Sequence, residues 1–467
     1  DIGIIGGRNY QDDYYDWGED FNFRDRDLLI AGPVVADMQA NFNAFWNAQR
    51  SIPAERVGDV ARYLRAHGPP PAPHHPYRRP ERVRSLLADV ADPDIIRMRF
   101  VDPSMEVRGV RFIADLPGKH RRTPEDAVAA SADEAVGAAG NSLLTLIDGA
   151  QHEILLQTPY LVMSKPAQQV FRALQQRPNP PQVLVSTNSL ASTDAFIAYA
   201  LSYKYKRRYL RDFKFEIHEF KPFPQDAPID VEATGTVEIA WDEDGTPMVL
   251  PAPREHAAGR SVAVAGSGSG SGSGNVGGSR SPDRPTPLAR EYSALRYSKR
   301  GSNERVPLLR GGTRFGLHAK SLVIDGRVAV IGSHNFDPRG DHYNTEGLVV
   351  IEDPAFAQAL AASIERDMRP ENAWTIARRD KPPIFSGLEY SLAKISEHLP
   401  LFDFWPVRYA TSYEFVPGPA CPAPLSPRDP EFRRCYRPVG DFPEVAPAIR
   451  PLTRIFTAFG AGLAPIL

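Results

Sequence analysis

The amino-acid sequence predicts an α/β fold with two pseudo-symmetric lobes, each a mostly parallel or mixed β-sheet covered by helices. Three observations support this prediction. Apolar strands alternate with helices, the start of the chain repeats a later stretch, and 467 residues suffice for two domains of ordinary size. We expect a first lobe at residues 1–135, a second at 136–380, and an aromatic, proline-rich C-terminal extension at 381–467.

Strands and helices alternate most regularly in the second lobe. Helices are predicted near residues 143–149 and over 195–211, the latter with Thr193 or Asp194 as its N-cap. The predicted strands lie at 153–160, 183–187 and 215–220. Because these strands look apolar on both faces, they are typical of a largely parallel sheet that is buried between helices.

The first nine residues repeat the pattern of residues 327–335. The matched pairs are Ile2 and Val328, Ile4 and Val330, Ile5 and Ile331, Gly6 and Gly332, Asn9 and Asn335, and, after an insertion of five residues in the first copy, Asp25 and Glu346 and then Pro33 and Pro354. An amphipathic helix follows in both copies. The chain therefore contains a degenerate repeat of one lobe.

A hairpin is predicted within residues 316–335. Asp325 and Gly326 stand between two β-rich apolar runs, and this dipeptide is a strong signal for a two-residue turn because both positions need positive φ. Such a turn pairs Ile324 with Arg327, so the numbers of facing residues sum to 651. Asp325 and Gly326 are interpreted as turn residues and not as catalytic ones.

This register puts four polar side chains on one surface. His318 faces Ser333, and the alternation of side chains brings Lys320 and Asn335 to the same side. An imidazole can attack phosphorus or carry a proton, and the other three groups can donate hydrogen bonds to phosphoryl oxygens. The set predicts phosphate chemistry. The alternative is a half-exposed hairpin with scattered polar residues.

The string His-x-Lys-x4-Asp followed by Gly-Ser-x-Asn, from His318 to Asn335, resembles the motif of the phospholipase D superfamily. Five further stretches resemble the bacterial cardiolipin synthase branch of that superfamily, and in particular its cardiolipin synthase C type. They are residues 31–35, 157–160, 187–194, 336–339 and 344–346. The resemblance extends from Asp1 to about Trp374.

This resemblance implies phospholipase D lobes with the active site at their interface. One histidine attacks the phosphodiester and forms a phosphatidyl-histidine, and another protonates the leaving alcohol and then deprotonates the incoming one. The residues implied as catalytic are His318, Lys320, Ser333, Asn335 and Glu346, and those implied as the remnant of a first half-site are Gly7, Asn9 and Asp25. By resemblance, Glu346 orients the ring of His318. No metal or other cofactor is implied.

The family's first histidine and lysine would lie about nine and about seven residues before Asp1. We therefore expect that an N-terminal part is missing from this sequence, and that residues 1–467 alone hold half a site. The alternative is a one-motif protein that pairs two copies of His318 across a homodimer. The matches at Asn9 and Asp25 favour the first interpretation.

By resemblance, the expected function is phosphatidyl transfer that makes cardiolipin from phosphatidylglycerol and a second phospholipid, with phosphatidylethanolamine as a candidate. The alternatives are a hydrolytic phospholipase D that releases phosphatidic acid, a nuclease or other phosphodiesterase, and a non-catalytic lipid-binding relative. A net charge of −2 provides no basic field, so no nucleic-acid partner is expected. Because the substrates would be lipids, we expect association with a membrane surface, the bacterial inner membrane. No apolar run of this sequence reaches transmembrane length, and a missing N-terminal part could carry a signal, a lipid anchor or a membrane helix.

Three remaining segments carry expectations of their own. Cys421 and Cys435 either form a disulfide in an oxidising compartment, which would fit the periplasmic side, or are two free thiols. An insertion at about 221–312 contains a Gly-Ser alternation at 266–274, which is typical of a flexible coil. In the extension, residues 399–405 and the apolar C-terminus either contact lipid or pack back over the second lobe.

Overall fold

The structure is a computed structural model that describes residues 1–69, 79–119, 137–226, 237–241, 247–251, 305–379 and 409–447. Three predicted features lie outside the described residues. They are the Gly-Ser alternation at 266–274, and the stretch at 399–405 and the apolar C-terminus, both of which were expected to contact either lipid or the second lobe.

Strands and helices have the following bounds. The strands are β1 Ile2–Gly6, β2 Phe21–Arg24, β3 Asp27–Ala31, β4 Val110–Ala114, β5 Glu153–Gln157, β6 Gln182–Asn188, β7 Phe215–Phe220, β8 Val237–Trp241, β9 Pro247–Pro251, β10 Arg314–Leu317, β11 Ser321–Ile324, β12 Val328–Gly332, β13 Gly347–Ile351, β14 Ala373–Arg378, β15 Ala410–Phe415 and β16 Tyr436–Gly440. The α-helices are α1 Val35–Trp46, α2 Gly58–His67, α3 Pro80–Ala91, α4 Pro93–Ile96, α5 Ala138–Gly149, α6 Lys165–Gln175, α7 Phe196–Arg211, α8 Pro338–His342, α9 Pro354–Met368 and α10 Phe432–Cys435.

A ten-stranded mixed sheet is the centre of the fold, in the order β16-β15-β14-β7-β6-β5-β11-β12-β13-β4. Strands β5, β6 and β7 are parallel, as the alternation of strands and helices predicted, and every other neighbouring pair in this sheet is antiparallel. The expectation of a largely parallel sheet is therefore wrong, because hairpins and edge strands supply the remaining members. The prediction of an α/β fold with a mixed sheet covered by helices is confirmed.

Helices cover both faces of this sheet. On one face, α5, α6 and α7 contribute buried side chains such as Leu143, Phe171 and Tyr209 to a core shared with β5, β6 and β7. On the other face, Leu360 and Ile364 of α9 pack against β11, β12 and β13, and the β1–β3 pair adds residues to the same cluster. The first copy of the repeat therefore packs on the sheet face that α9 of the second copy also covers.

The repeat in the sequence is also present in the strand pairing. In the first copy, β1 pairs with β3 so that Gly6 faces Asp27. In the second copy, β12 pairs with β13 so that Gly332 faces Leu348. These pairs coincide when the first copy is laid on the second with the five extra residues placed in the connecting loop. Because α1 and α9 follow the two strand pairs, each copy is a strand–loop–strand–helix unit.

The turn of the predicted hairpin has the expected conformation and a different register. Asp325 and Gly326 have φ values of 52° and 60°, and the N–H of Arg327 donates to the carbonyl of Ile324 at 3.0 Å. In the ladder, however, Ile324 pairs with Val328, so facing residues sum to 652. Arg327 closes the turn without entering the ladder, as an extra residue does in a β-bulge.

This shift corrects the predicted position of the motif side chains. When the pairing register shifts by one residue, each side chain faces a residue from the opposite side of the partner strand. The prediction that His318 faces Ser333 and Lys320 faces Ile331 is therefore wrong, since Ile331 pairs with Ser321.

The start of α7 also differs from the prediction. The helix begins at Phe196 with Ala195 as its N-cap residue, so neither Thr193 nor Asp194 occupies that position. The hydroxyl of Thr193 accepts a hydrogen bond from the N–H of Ala195 at 3.1 Å. Asp194 does not cap the helix because its carboxylate accepts a hydrogen bond from the hydroxyl of Tyr160 at 2.8 Å.

Segments outside the predicted second-lobe strands form the edges of the sheet. β4, from the predicted first lobe, pairs with β13 at one edge, and β15 and β16 of the extension form the other. The described part of the extension therefore packs back on the second lobe, and Cys421 and Cys435 form a disulfide there. In the insertion, β8 and β9 form an antiparallel pair. The lobe boundary at residue 135 stays a prediction.

Candidate active site

Asp25 of the first copy lies close to His318 and Lys320 of the motif. β10 runs parallel to β2 with Leu317 beside Arg24, so the following residues, His318 and Asp25, leave the two strands side by side. The N–H of His318 donates to the carbonyl of Arg24 at 2.8 Å. Lys320 directly precedes β11. His318 and Lys320 are 7% and 4% exposed, so both ionisable groups are buried.

Asp25 and His318 form a buried pair. Oδ2 of Asp25 accepts a hydrogen bond from Nδ1 of His318 at 2.7 Å. Because a carboxylate only accepts, this contact assigns the proton of the neutral ring to Nδ1 and leaves the lone pair on Nε2. Burial acts to raise the pKa of Asp25, but Lys320 and His318 outweigh it and hold that pKa well below its ordinary value. Burial and then the charge of Lys320 lower the pKa of His318, against the opposing effect of Asp25.

Glu346 does not hydrogen-bond His318, contrary to the expectation from the family resemblance. Its carboxylate accepts from the hydroxyl of Ser333, and the N–H of Gly347 donates to the same hydroxyl oxygen at 3.1 Å. The parallel pairing of β2 with β10 places Asp25 at the ring of His318 instead. Burial raises the pKa of Glu346, although the hydrogen bond from Ser333 opposes the shift.

The ammonium group of Lys320 lies against the imidazole of His318. Its Nζ is 2.6 Å from Nδ1 and 2.9 Å from Nε2. The ammonium therefore lies within hydrogen-bond distance of the nitrogen that carries the lone pair, Nε2. Burial lowers the pKa of Lys320 to about 8, although carboxylates including Asp25 and Glu346 oppose that shift.

Gly7 of the first copy makes room for Lys320. A Cβ added at Gly7 would lie 2.6 Å from Cδ and 2.9 Å from Nζ of that lysine. The absence of a side chain at Gly7 therefore permits the close approach of β1 to the motif.

The two asparagines that the repeat aligns contact the site in different ways. Nδ2 of Asn9 donates to the hydroxyl oxygen of Tyr14 at 2.9 Å, and that hydroxyl lies 3.4 Å from Nε2 of His318. Oδ1 of Asn335 is buried and has no hydrogen-bond partner within the described residues. The backbone carbonyl of Asn335 accepts from Thr158 at 2.6 Å. The unsatisfied amide oxygen can accept from a donor on a bound molecule.

Asp325 stabilises the start of β5. Its carboxylate accepts hydrogen bonds from the backbone N–H groups of Gln151, His152 and Glu153, at distances of 2.9, 2.7 and 2.9 Å. Burial acts to raise the pKa of Asp325, but these hydrogen bonds hold it below its ordinary value. Asp325 therefore connects the hairpin turn to the neighbouring strand, in keeping with the structural role assigned to it from the sequence.

An anchor for Asp25 was not anticipated from the sequence. The flanking residues Arg24 and Arg26 both form ion pairs with Asp367 of α9, with N···O distances of 3.5 and 3.6 Å. Arg26 also donates hydrogen bonds to Gln157, Ser321 and Ser363. Burial, with the charge of Arg24 next, lowers the pKa of Arg26 to about 10. The string Arg-Asp-Arg is the available sequence signal, and such strings are usually solvated.

Tyr14 and Asp194 are further residues near His318 that the sequence did not single out for the site. Tyr14 contacts the ring directly, and Asp194 acts electrostatically on His318 and Lys320. An aromatic residue in a longer loop and a carboxylate ahead of a helix have no distinctive spacing. Only the tertiary packing brings them to the histidine.

The arrangement can hold an anionic oxygen at Lys320 and move a proton at Nε2 of His318. Within the part of the chain that the structure describes, no group of three or more His, Cys, Asp or Glu side chains could hold a metal ion. The ammonium of Lys320 places a positive charge directly beside His318.

A family model described as a cardiolipin synthase, PLD-like domain, matches residues 278–368, which include the motif from His318 to Glu346. The chain carries a phospholipase D-like domain of the cardiolipin synthase branch. It is 22% identical to cardiolipin synthase C of Escherichia coli (strain K12) over 373 residues, which cover 77% of this chain and 58% of that protein. It is 21% identical to an uncharacterized protein of Helicobacter pylori (strain J99) over 369 residues, which cover 78% of this chain and 54% of the relative.

The chain thus spans little more than half the length of these curated relatives. Among solved structures, the phosphatidylserine synthase of Haemophilus influenzae Rd KW20 is 13% identical with a TM-score of 0.36, covering 79% of this chain and 58% of that chain. Nuc from Salmonella typhimurium, a phospholipase D family member, is 12% identical with a TM-score of 0.27, and the match covers 56% of this chain and 95% of that chain. None of the helices that the structure describes has the length and apolar character that crossing a bilayer requires.

Proposed function

We propose that this protein transfers a phosphatidyl group between alcohols at a membrane surface and makes cardiolipin from phosphatidylglycerol and a second phospholipid. The observation that carries the proposal is the buried cluster of Asp25, His318 and Lys320, in which a nitrogen lone pair and an ammonium lie side by side. The similarity to cardiolipin synthase C of Escherichia coli supports a phospholipid as the substrate.

His318 is the proposed carrier of the proton. In the first step, the phosphatidyl group passes to a second histidine, which the family resemblance assigns to the other half-site. A P–N bond forms, the P–O bond to the leaving alcohol breaks, and that oxygen takes a proton from the His318 ring. In the second step, the incoming hydroxyl gives its proton to Nε2, its oxygen bonds to phosphorus, and the P–N bond breaks. Asp25 stabilises the imidazolium that donates this proton in the first step and that forms again in the second.

Lys320 and Asn335 are the proposed ligands of the phosphoryl oxygens. The ammonium is buried, so its attraction for an anionic oxygen is weakly screened. Asn335 would donate to a phosphoryl oxygen through Nδ2, and its Oδ1, which has no partner among the described residues, can accept a hydrogen bond from a substrate hydroxyl. Ser333 and Glu346 bond to each other and not to His318, so we assign them to the other half-site.

The membrane surface is the proposed place of action, because both substrates are lipids and the bacterial inner membrane supplies them. The disulfide between Cys421 and Cys435 is of the kind that forms in an oxidising compartment, and it supports a periplasmic location.

The test is a lipid assay on the full-length gene product. Vesicles with labelled phosphatidylglycerol are incubated with the protein, with and without phosphatidylethanolamine, and the products are separated. We expect a labelled dimeric lipid, and we expect His318→Asn to abolish it. His67→Asn is the matched control, because His67 is exposed on α2 and bonds only to the carbonyl of Tyr63 of its own helix.

Other outcomes select the alternatives. Labelled phosphatidic acid without dimeric lipid would replace the transferase by a hydrolytic phospholipase D. Cleavage of DNA that His318→Asn removes would favour a phosphodiesterase of nucleic acids. Lipid turnover that persists in His318→Asn would remove this histidine from the mechanism.

A further inference from the structure

Tyr14 lies against the reactive nitrogen of His318. It ends a short 3-10 turn at Asp12–Tyr14, in the loop after Asn9 that is five residues longer than its counterpart in the second copy. Tyr14 is 2% exposed, and its ring stacks on Phe23 with the centroids 4.3 Å apart. It meets the His318 ring edge-on, with the centroids 5.0 Å apart and Oη 3.4 Å from Nε2.

The direction of each hydrogen bond around Tyr14 follows from its partners. The amide group of Asn9 can only donate through Nδ2, so Oη of Tyr14 accepts there and its own hydrogen is left for Nε2 of His318. Asp25 accepts from Nδ1 on the opposite side of the ring, so the lone pair that receives this hydrogen is on Nε2. Burial, with the charge of Asp194 next, raises the pKa of Tyr14, so its hydroxyl remains a donor at physiological pH.

Besides the neutral hydroxyl of Tyr14, three charged groups among the described residues act on His318. Nζ of Lys320 lies 2.9 Å from Nε2, Asp25 approaches from the end of β2, and Asp194 acts from the segment ahead of α7. A change confined to the hydroxyl of Tyr14 leaves all three in place. Its effect on the proton affinity of His318 can therefore be measured separately from theirs.

We propose that Tyr14 is a positioning residue for proton transfer at His318, and that its hydroxyl hydrogen contacts the Nε2 lone pair beside Nζ of Lys320 until the hydroxyl of a substrate alcohol replaces it. The inference rests on the proposed function and assigns a residue to it. An O···N distance of 3.4 Å is long for a hydrogen bond, so the contact is weak enough for a substrate to displace. Tyr14 thereby keeps the ring in the tautomer that can accept a proton from that substrate.

The test removes the hydroxyl of Tyr14 and measures the pKa of His318 directly. The full-length protein is labelled with 15N only in histidine, the His318 signals are assigned with His318→Asn, and the ring nitrogens are titrated in wild type and Tyr14→Phe. Tyr10→Phe is the matched control, since Tyr10 lies in the same loop and is 99% exposed. A donor to Nε2 favours the neutral ring, so its removal should raise the pKa of His318 by about half a pH unit to one pH unit.

The kinetics of lipid transfer provide a second measurement. In Tyr14→Phe, kcat should fall about 10-fold to 100-fold with KM nearly unchanged, and the acidic limb of the pH profile should move to higher pH. An unchanged His318 pKa in Tyr14→Phe, or the same shift in Tyr10→Phe, would overturn the inference. If the pKa rises while the wild-type protein transfers no phosphatidyl group, the role of Tyr14 at His318 stands and the proposed function fails.

Discussion

The two copies of the repeated hairpin have the same register and different surroundings. In the second copy, β12 and β13 lie inside the ten-stranded sheet, and all but the first residue of each strand is buried. In the first copy, β1 and β3 form a pair of their own, and Ile2 and Ile4 on its outer face are 68% and 69% exposed. The register follows from a local pattern that the copies share, whereas burial depends on what the rest of the chain adds around each copy.

The matched carboxylates show the same contrast. Asp25 of the first copy reaches the histidine of the second-copy motif, and Glu346 stays with Ser333 of its own copy. Equivalent positions in a repeat therefore acquire different partners. The chemistry at His318 depends on the first 31 residues as much as on the motif itself.

The strongest test of this asymmetry exchanges each carboxylate for its amide. Asp25→Asn should lower the rate of phosphatidyl transfer about 10³-fold to 10⁴-fold, because an amide can hold His318 in the wrong tautomer. Glu346→Gln should cost about 10-fold to 100-fold, as expected of a group that acts through a neighbour. Both rates are measured in the vesicle assay with protein shown to be folded by circular dichroism. Equal losses in the two variants would contradict the unequal roles.

The anchor of the first copy can be broken at Arg26. Arg26→Met leaves Asp367 buried without its full set of partners and should lower the free energy of unfolding by about 3–5 kcal/mol in urea denaturation. Arg111→Met is the control beside the second copy, because Arg111 forms an exposed pair with Glu352 after β13 and should cost about 0–1 kcal/mol. If Arg26→Met costs no more than Arg111→Met, Arg26 does not anchor the loop of Asp25.

A smaller loss of stability is expected at the edge of the sheet farthest from both copies. Replacing Cys421 and Cys435 by alanine removes a cross-link across 14 residues and should lower the unfolding free energy by about 3 kcal/mol. The 15N titration of His318 should remain that of the wild type, because the disulfide lies beyond β15. A shifted titration would mean that the extension and the site are coupled.

The smallest effect concerns pH. Lys320 attracts phosphate only while it is charged, and its pKa of about 8 means that this form is lost as pH rises through that value. The transfer rate should therefore fall about tenfold for each pH unit above 8. In Lys320→Arg, any remaining activity should lack this alkaline limb, since a guanidinium keeps its proton. An unchanged limb in that variant would assign it to another group.

The local features of the fold could be predicted from the sequence. The alignment of Gly6 with Gly332 and of Asp25 with Glu346 reproduces the register of both strand pairs, and Asp325 and Gly326 have the positive φ that their dipeptide requires. These features depend on residues close in the chain.

The predictions that failed depend on tertiary contacts or on single-residue detail. The partner of His318 is set by the pairing of β2 with β10, which joins distant segments without any pattern in either strand. The hairpin ladder is shifted because Arg327 closes the turn and then stays out of the pairing. Asp194 was predicted as a helix cap, and the hydroxyl of Tyr160 holds it instead.

The distance in sequence between Asp25 and His318 has a consequence for folding kinetics. The two residues are 293 positions apart, and the strand pair that joins them is parallel. Contacts of such separation form late, because a large loop must close before they stabilise the chain. A nascent chain therefore completes its histidine–carboxylate pair only after His318, 293 residues beyond Asp25, has left the ribosome. The gain of activity during refolding should lag behind the gain of secondary structure.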